Sequence, residues 1–301
     1  MVYFVLTALM FSVFEVTSKN LEISPYSLTA LRFFIGGITI LPFSLVQYSK
    51  SISKINLKGF VKIWMLGLLL MSSCILLQIA LVNTTVSLCV FIYCLNAVFG
   101  TFTGWIILKQ RPPKSIWITC IISLIGLVIL IEPFKFGINI YAVAALASSI
   151  LFSLFNTLMF KARGIYGNLI TTSISFLTGA ATLGIILFLT GESLVAGVNG
   201  SNIFRILFIG IICSGTVYLA YYKTMEVTSV SLASTVFLIK PVIATLLSVV
   251  FLKEKLTGAF YAGSVLIFIG VSITIASKLI QNRKVQQIQQ NRNHNESKIQ
   301  S

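Results

Sequence analysis

The sequence predicts an all-α membrane protein of ten transmembrane helices, arranged as two inverted five-helix repeats with both termini in the cytoplasm. The first observation is composition: 57% of the residues are hydrophobic and only 10% are charged, which leaves too little polar surface for a soluble globule. The second is a series of apolar runs, each long enough to cross a bilayer. The third is a set of short motifs from the first half of the chain that recur in the second half.

The ten predicted spans are apolar runs of about 17 to 25 residues, the length that covers the hydrocarbon core. Short connections join them and contain turn-forming Gly, Asn and Ser. After Lys278 the chain becomes rich in Gln and Asn, so residues 279–301 are predicted to form a disordered cytoplasmic tail. The spans cover residues 2 to 18, 27 to 47, 60 to 82, 85 to 107, 115 to 132, 140 to 160, 168 to 190, 203 to 223, 229 to 251 and 259 to 277.

The positions of Lys and Arg predict the orientation of the chain. Of the 22 basic residues, Arg32 and Lys240 lie well inside spans, five lie on one side of the predicted membrane, and the remaining fifteen lie in the loops or at the span ends of the other side. Because cytoplasmic loops carry the excess of Lys and Arg, this distribution places both termini inside. The net charge of +15 therefore follows from membrane topology, and no nucleic-acid partner is expected. The outer five are Lys19, Lys135, Arg205, Lys253 and Lys255.

An internal repeat relates the two halves of the chain. An offset of 144 residues places TVSL at 85–88 over SVSL at 229–232, and LKQR at 108–111 over LKEK at 252–255. A slightly smaller offset aligns FSVFE at 11–15 with FSLFN at 152–156. These matches predict a first repeat over residues 1–133 and a second over residues 138–278, with five spans each. Because five is odd, the second copy enters the membrane inverted, which is the layout of many secondary transporters.

Three motifs, with the duplicated ten-span pattern, carry a resemblance to a known family. They are ALRFF at 30–34 on the second span, IKPV at 239–242 and LKEKLT at 252–257. In these features the chain resembles the EamA family of the drug/metabolite transporter superfamily over nearly its whole length. The resemblance implies a ten-helix bundle around a central cavity, lined mainly by spans 1, 3, 4, 6, 8 and 9. It also implies movement of small metabolites or amino acids, often outward.

The chain departs from the family pattern at three places. Gln110 stands where the family usually has the glutamate that is present here as Glu254. Phe11 replaces the tryptophan common on the first span, and Asn96-Ala97 occupies the position that aligns with Lys240-Pro241. The last difference indicates that the fold itself requires neither a charge nor a kink at this point.

Lys240 and Pro241 lie near the middle of the ninth predicted span. A charged lysine near the bilayer midplane costs at least about 2.5 kcal/mol on insertion scales, so it should face the bundle interior and have a partner. Pro241 has no N–H to donate to the carbonyl of Phe237, which predicts a kink or gating point in the helix.

Glu15 is the acidic residue placed well inside a predicted span, and the repeat aligns it with Asn156. A carboxylate and an ammonium group on helices that line one cavity can pair when the cavity is empty and separate when a zwitterion or anion binds. Glu15 and Lys240 are therefore one candidate pair. Three alternatives stay open: Arg32 on the second span pairs with Glu15, Glu15 belongs to an interfacial cluster with Lys19, Glu22 and Arg32, or Lys240 is held by backbone carbonyls alone.

Aromatic and amide side chains complete the candidate site. Phenol hydroxyls inside a membrane need polar partners, which favours a cavity position for Tyr93 and Tyr218, although packing in the core is an equally good explanation for each ring. The five cysteines all lie in apolar spans and are interpreted as small hydrophobic residues. The predicted substrate-binding residues are Lys240, Glu15, Asn96, Asn156, Tyr93, Tyr218 and Phe237, with Pro241 as a kink or gate.

Catalytic motifs are absent from the sequence. It holds no G-x-x-x-x-G-K-[ST] loop and no H-E-x-x-H, and its single histidine, His294, lies in the polar tail, so no enzyme activity, cofactor or metal site is expected. The leading hypothesis is a secondary transporter in the cell membrane that moves a small polar metabolite or amino acid, outward as the expected direction, with a proton as the candidate coupling ion. One alternative is an exchanger for an anionic or phosphorylated metabolite. Another, from a different class, is a membrane scaffold or sensor whose tail recruits a partner.

Overall fold

All regular secondary structure in the described part of the chain is helical. The structure is a computed structural model, and it describes residues 2–52, 55–109, 115–132, 139–221, 236–277 and 280. The helices are α1 (Val2–Lys19), α2 (Pro25–Ile52), α3 (Leu57–Asn83), α4 (Val86–Cys94), α5 (Asn96–Leu108), α6 (Ser115–Ile131), α7 (Ile140–Tyr166), α8 (Asn168–Leu189), α9 (Ile203–Gly210), α10 (Val236–Leu252) and α11 (Gly258–Ser277). A π-helix, Ile211–Thr216, continues α9, and the described part of this segment ends at Tyr221.

These helices make the chain a multi-pass membrane protein. Among the described residues, seven segments are long and apolar enough to cross a membrane: α2, α3, α4 with α5, α7, α8, α9 with its continuation, and α11. Shorter apolar helices cover Trp117–Ile131 and Ile239–Leu252. Each span predicted from the sequence overlaps one of the helices. The count of ten membrane crossings and the cytoplasmic position of the termini remain predictions.

Side-chain caps fix where several helices begin. The Asn56 side chain accepts a hydrogen bond from the Gly59 N–H at 2.8 Å, and Asn139 accepts one from Tyr141 at 2.9 Å. Thr85 does the same for the Leu88 N–H at 3.3 Å. Because the first N–H groups of a helix have no partner within the helix, such caps define its start.

The predicted fourth span is interrupted in its middle. Helix α4 ends at Cys94 and α5 begins at Asn96, with Leu95 in a turn whose N–H donates to Ile92 O at 3.1 Å. The Tyr93 carbonyl accepts from the Asn96 side-chain amide at 2.6 Å and from Ser149 Oγ at 3.2 Å. Polar side chains thus satisfy the backbone at this turn.

This break corrects the expectation that the fourth span, residues 85 to 107, is one uninterrupted helix. Leu95 aligns with Ile239 at the 144-residue offset, beside Lys240-Pro241, so the first repeat is irregular at that level although it lacks a proline. Helix α10, in contrast, continues through Pro241. The break therefore occurs in the repeat that lacks the proline, while the repeat that has the proline keeps a continuous helix.

The ends of the fourth and ninth predicted spans also match. Lys109, after α5, and Lys253, after α10, both adopt left-handed backbone conformations, with φ of 55° and 53°. They occupy equivalent positions in LKQR and LKEK.

The helix pairings follow the same two-fold pattern. Helix α1 packs on α10, while α7 packs on α4 and α5; α2 packs on the π-helix and α3 on α8. Glycine allows the closest approaches: a Cβ on Gly179 would lie 2.7 Å from the Gly67 carbonyl oxygen, and one on Gly215 would lie 2.6 Å from the Thr39 Cβ. The α1–α10 and α4–α7 contacts place residues from both halves of the chain around one central region.

Candidate substrate-binding site

The centre of the site is an ion pair between α1 and α10. Lys240 Nζ lies 2.5 Å from Glu15 Oε1, and the two side chains are only 8% and 1% exposed. Of the two basic residues considered as partners of Glu15, Lys240 and Arg32, it is therefore Lys240 that forms the ion pair. One residue of the pair comes from the first half of the chain and the other from the second.

A second contact, which the sequence did not predict, fixes α1 against α10 beside this pair. Ser12 Oγ donates to the Lys240 carbonyl oxygen at 3.1 Å and also lies 2.8 Å from Ala8 O. Ser12 lies one turn before Glu15, so both residues project toward α10. The sequence feature that could have pointed to Ser12 is its position in the FSVFE motif, where it aligns with Ser153 of the second repeat.

Arg32 lies near the pair but does not form part of it. Its guanidinium carbon lies 3.7 Å from the centre of the Phe14 ring and 4.4 Å from that of Phe33, both in the range of cation–π contacts. Its charge also acts on Glu15 through space. Two buried polar atoms of this group, Arg32 Nε and Glu15 Oε2, have no hydrogen-bond partner in the described part of the chain.

Aromatic rings surround the ammonium group of Lys240. Its Nζ lies 5.2 Å from the centre of the Tyr93 ring and 5.8 Å from that of Phe11. Phe11 in turn meets Tyr218 edge to face at 5.5 Å, and Tyr218 packs on Phe176 at 5.1 Å. The position of Phe11, where the related family usually has tryptophan, is therefore in the wall of the site.

The other predicted residues divide into two groups. Asn96 is half-buried next to Tyr93, whose carbonyl its side chain binds, so it lies at the edge of the site. Asn156 is half-buried on α7, and no hydrogen bond in the described ranges joins it to Lys240 or Glu15. The Phe237 side chain lies outside the described part of the structure. Pro241 follows Lys240 within α10.

The chemistry of this arrangement is that of a polar site held in an apolar bundle. Removing two charges from water costs several kcal/mol per ion, and their mutual attraction offsets that cost only when the geometry is good. A pair of this kind is therefore weak evidence for stability. It can bind a solute that offers an anion to Lys240 and a cation to Glu15, since the solute then replaces each partner in the pair.

Comparisons with known proteins give the family of the chain and its fold. The model of the EamA-like transporter family matches residues 1–132 and 139–276. The chain is 32% identical over 288 residues to an uncharacterized transporter of Clostridium kluyveri, covering 92% of this chain and 93% of that protein. It is 26% identical over 260 residues to an uncharacterized transporter of Archaeoglobus fulgidus, covering 85% and 90%. A solved crystal structure at 20% identity has a TM-score of 0.62 and covers 91% of this chain and 95% of that one, which shows a shared fold.

Proposed function

This chain belongs to the EamA-like transporter family of the drug/metabolite transporter superfamily, and we propose on that premise that it is a secondary transporter working by alternating access in the cell membrane. Its substrate in this proposal is a small polar metabolite or amino acid that binds between the two repeats, with export as the direction. Both termini lie in the cytoplasm and the second repeat is inverted relative to the first.

One observation carries the proposal: the buried ion pair joins α1 to α10, and so joins the two halves of the chain. In transporters built from repeats, the substrate site lies at the interface of the repeats near the bilayer midplane. Ionisable residues inside a membrane are costly and are retained for function. A solute that separates Glu15 from Lys240 acts directly on the contact between the halves.

The surroundings of the pair support a zwitterion as substrate. Lys240 supplies a cation for a carboxylate, Glu15 supplies an anion for an amine, and Tyr93 and Phe11 offer apolar and cation–π contacts to the rest of the molecule. Glu15 Oε2, which has no hydrogen-bond partner among the described residues, is a position for a substrate N–H or for a coupling proton.

A second candidate, the exchanger for an anionic metabolite, is favoured by Arg32. With Lys240 it places two cations near a single carboxylate, and its Nε lacks a hydrogen-bond partner in the described ranges. An anion with two negative charges would pair with both cations. Ligand preference separates the candidates: the exchanger requires anions without an amine to bind better than zwitterions.

The proposal is tested by ligand binding to the purified protein. Amino acids, their derivatives and organic anions are screened for a rise in melting temperature, and each ligand found is tested on Lys240→Met and on Lys253→Met, a control that removes an exposed charge beyond the end of α10. We expect stabilisation to disappear in Lys240→Met and to persist in the control. Equal stabilisation of both variants would contradict the proposal.

The scaffold alternative makes the opposite prediction for the tail. If deletion of residues 279–301 abolished the cellular function while Lys240→Met left it intact, the transporter proposal would fail.

A further inference from the structure

The turn between α3 and α4, Thr84-Thr85, is held by hydrogen bonds from a charged side chain of α1. Lys19 Nζ donates to the carbonyl oxygens of Leu81, Val82 and Thr84 at 2.6, 3.0 and 2.5 Å. These carbonyls belong to the last turn of α3 and the residue after it, where the helix leaves backbone acceptors unpaired and where a positive charge is favoured. All three ammonium hydrogens of Lys19 are therefore engaged.

A second charged side chain, from the segment after α10, binds the start of α4 on the other side of the same turn. Glu254 Oε1 accepts from the Val86 N–H at 2.6 Å, and Oε2 accepts from the Ser87 N–H at 3.2 Å and from Ser87 Oγ at 2.6 Å. A carboxylate at the first turn of α4 is favoured by the unpaired N–H groups there. Ser248 of α10 adds a hydroxyl contact to Ser87 at 2.7 Å.

The positions of these two charges connect them to the candidate site. Lys19 ends α1 and Glu254 follows α10, and these are the two helices that carry Glu15 and Lys240. Both charges lie at the same end of the bundle, close enough for Glu254 to act on Lys19 electrostatically. Lys19 follows Glu15 by one helical turn, about 6 Å along α1, so the α3–α4 turn that it holds lies about one helical turn beyond the level of the ion pair.

We propose that Lys19 and Glu254 form the extracellular gate of the transporter, with the α3–α4 turn as the part that moves away when the gate opens. This inference rests on the alternating-access function proposed above. Lys19 uses its three donors on carbonyls at the end of α3, and Glu254 accepts three hydrogen bonds from the start of α4, so both side chains hold the turn between these helices.

The first repeat does not reproduce the charge of Glu254. Glu254 aligns with Gln110, which lies outside the described residues. A carboxylate binds N–H groups more strongly than a neutral amide does.

Accessibility of a native thiol tests the gate. Cys94 lies in the last turn of α4, is 6% exposed and lies close enough to Lys240 for the two to interact electrostatically. A protein that keeps Cys94 and has serine at the other four cysteines is treated in intact cells with a membrane-impermeant methanethiosulfonate. We expect Glu254→Gln, which removes the charge at nearly constant size, to raise the labelling rate about tenfold, the shift that one charge-assisted hydrogen bond supports.

Two further variants complete the test. Lys255→Gln removes an exposed charge from the same segment and should label at the parental rate. Ser87→Ala removes one of the three bonds to Glu254 and should give an intermediate rate, which keeps the proposal testable if Glu254→Gln does not fold. Equal rates in Glu254→Gln and Lys255→Gln would overturn the gate. An increase seen only in inside-out vesicles would overturn its extracellular assignment.

The labelling needs no substrate, so it remains informative whatever the ligand screen finds. Loss of binding in Lys240→Met is independent of Glu254. The gate and the proposed substrate site can therefore fail separately.

Discussion

Removing both charges of the Glu15–Lys240 pair should cost the fold less than removing either one. At 2.5 Å and an effective dielectric constant of about 20, the Coulomb attraction between the two groups is about 7 kcal/mol. Desolvation costs several kcal/mol for each ion, so the attraction and the desolvation cost nearly cancel. A single substitution, Lys240→Met or Glu15→Gln, leaves the other charge buried without its partner and should lower the free energy of unfolding by about 3 to 5 kcal/mol.

The double variant Glu15→Gln/Lys240→Met should lie within about 1 kcal/mol of the parent, because both the attraction and the desolvation cost are gone. The coupling energy of the cycle is then about −6 kcal/mol or larger in magnitude. The assay is unfolding by SDS titration in mixed micelles, followed by tryptophan fluorescence. Ligand binding is measured on the same four proteins, and the stable double variant should be inactive.

Additive destabilisation in the double variant would refute this reasoning, because it would mean that the two charges do not interact. A stable double variant that still bound ligand would refute the functional part alone. The pair would then be a dispensable structural contact.

Three other substitutions follow from the structure. Ser12→Ala removes the hydrogen bond to the Lys240 carbonyl and should lower the free energy of unfolding by about 1 kcal/mol in the same SDS titration, with no loss indicating that the bond does not form. Gly67→Ala places a methyl group against the backbone of α8 and should abolish the monodisperse peak in gel filtration. The control Gly164→Ala, whose Cβ would have no heavy atom within 4 Å, should keep that peak. Equal behaviour of the two variants would contradict the close packing. If Glu15 carries the coupling proton, Glu15→Gln should lose pH-driven uptake in proteoliposomes but keep solute counterflow, and unchanged pH-driven uptake would exclude that role.

Much of the fold could be predicted from the sequence because apolar length and charge distribution are local properties of the chain. The predicted limits 60 to 82 and 168 to 190 lie within three residues of the ends of α3 and α8. The sequence identified Glu15 and Lys240 as a candidate pair, since Glu15 is a rare acid within an apolar run and burial favours an opposite charge, but it did not decide between Lys240 and Arg32 as the partner of Glu15.

Contacts that depend on how helices face one another could not be predicted in this way. Lys19 was considered as an outer charge and as a member of an interfacial cluster, and nothing in its neighbours shows that it reaches the carbonyls of α3, 62 residues away along the chain. The break at Leu95 was missed because no proline or glycine marks it. What stabilises the break is Ser149, a residue from another helix, and Asn96, which one sequence alone does not distinguish from a cavity residue.

The π-helix at Ile211–Thr216 bears on how the two repeats diverged. The alignment offset rises from 141 residues at FSVFE to 144 at LKQR, so the second copy holds three residues more than the first between those points. Each turn of a π-helix closes over one residue more than an α-helical turn. Helix α3, which occupies the corresponding position in the first copy, is a continuous α-helix. One inserted residue can therefore be absorbed within the membrane without lengthening a loop. Tyr218, which meets Phe11 edge to face, lies two residues beyond the π-helix.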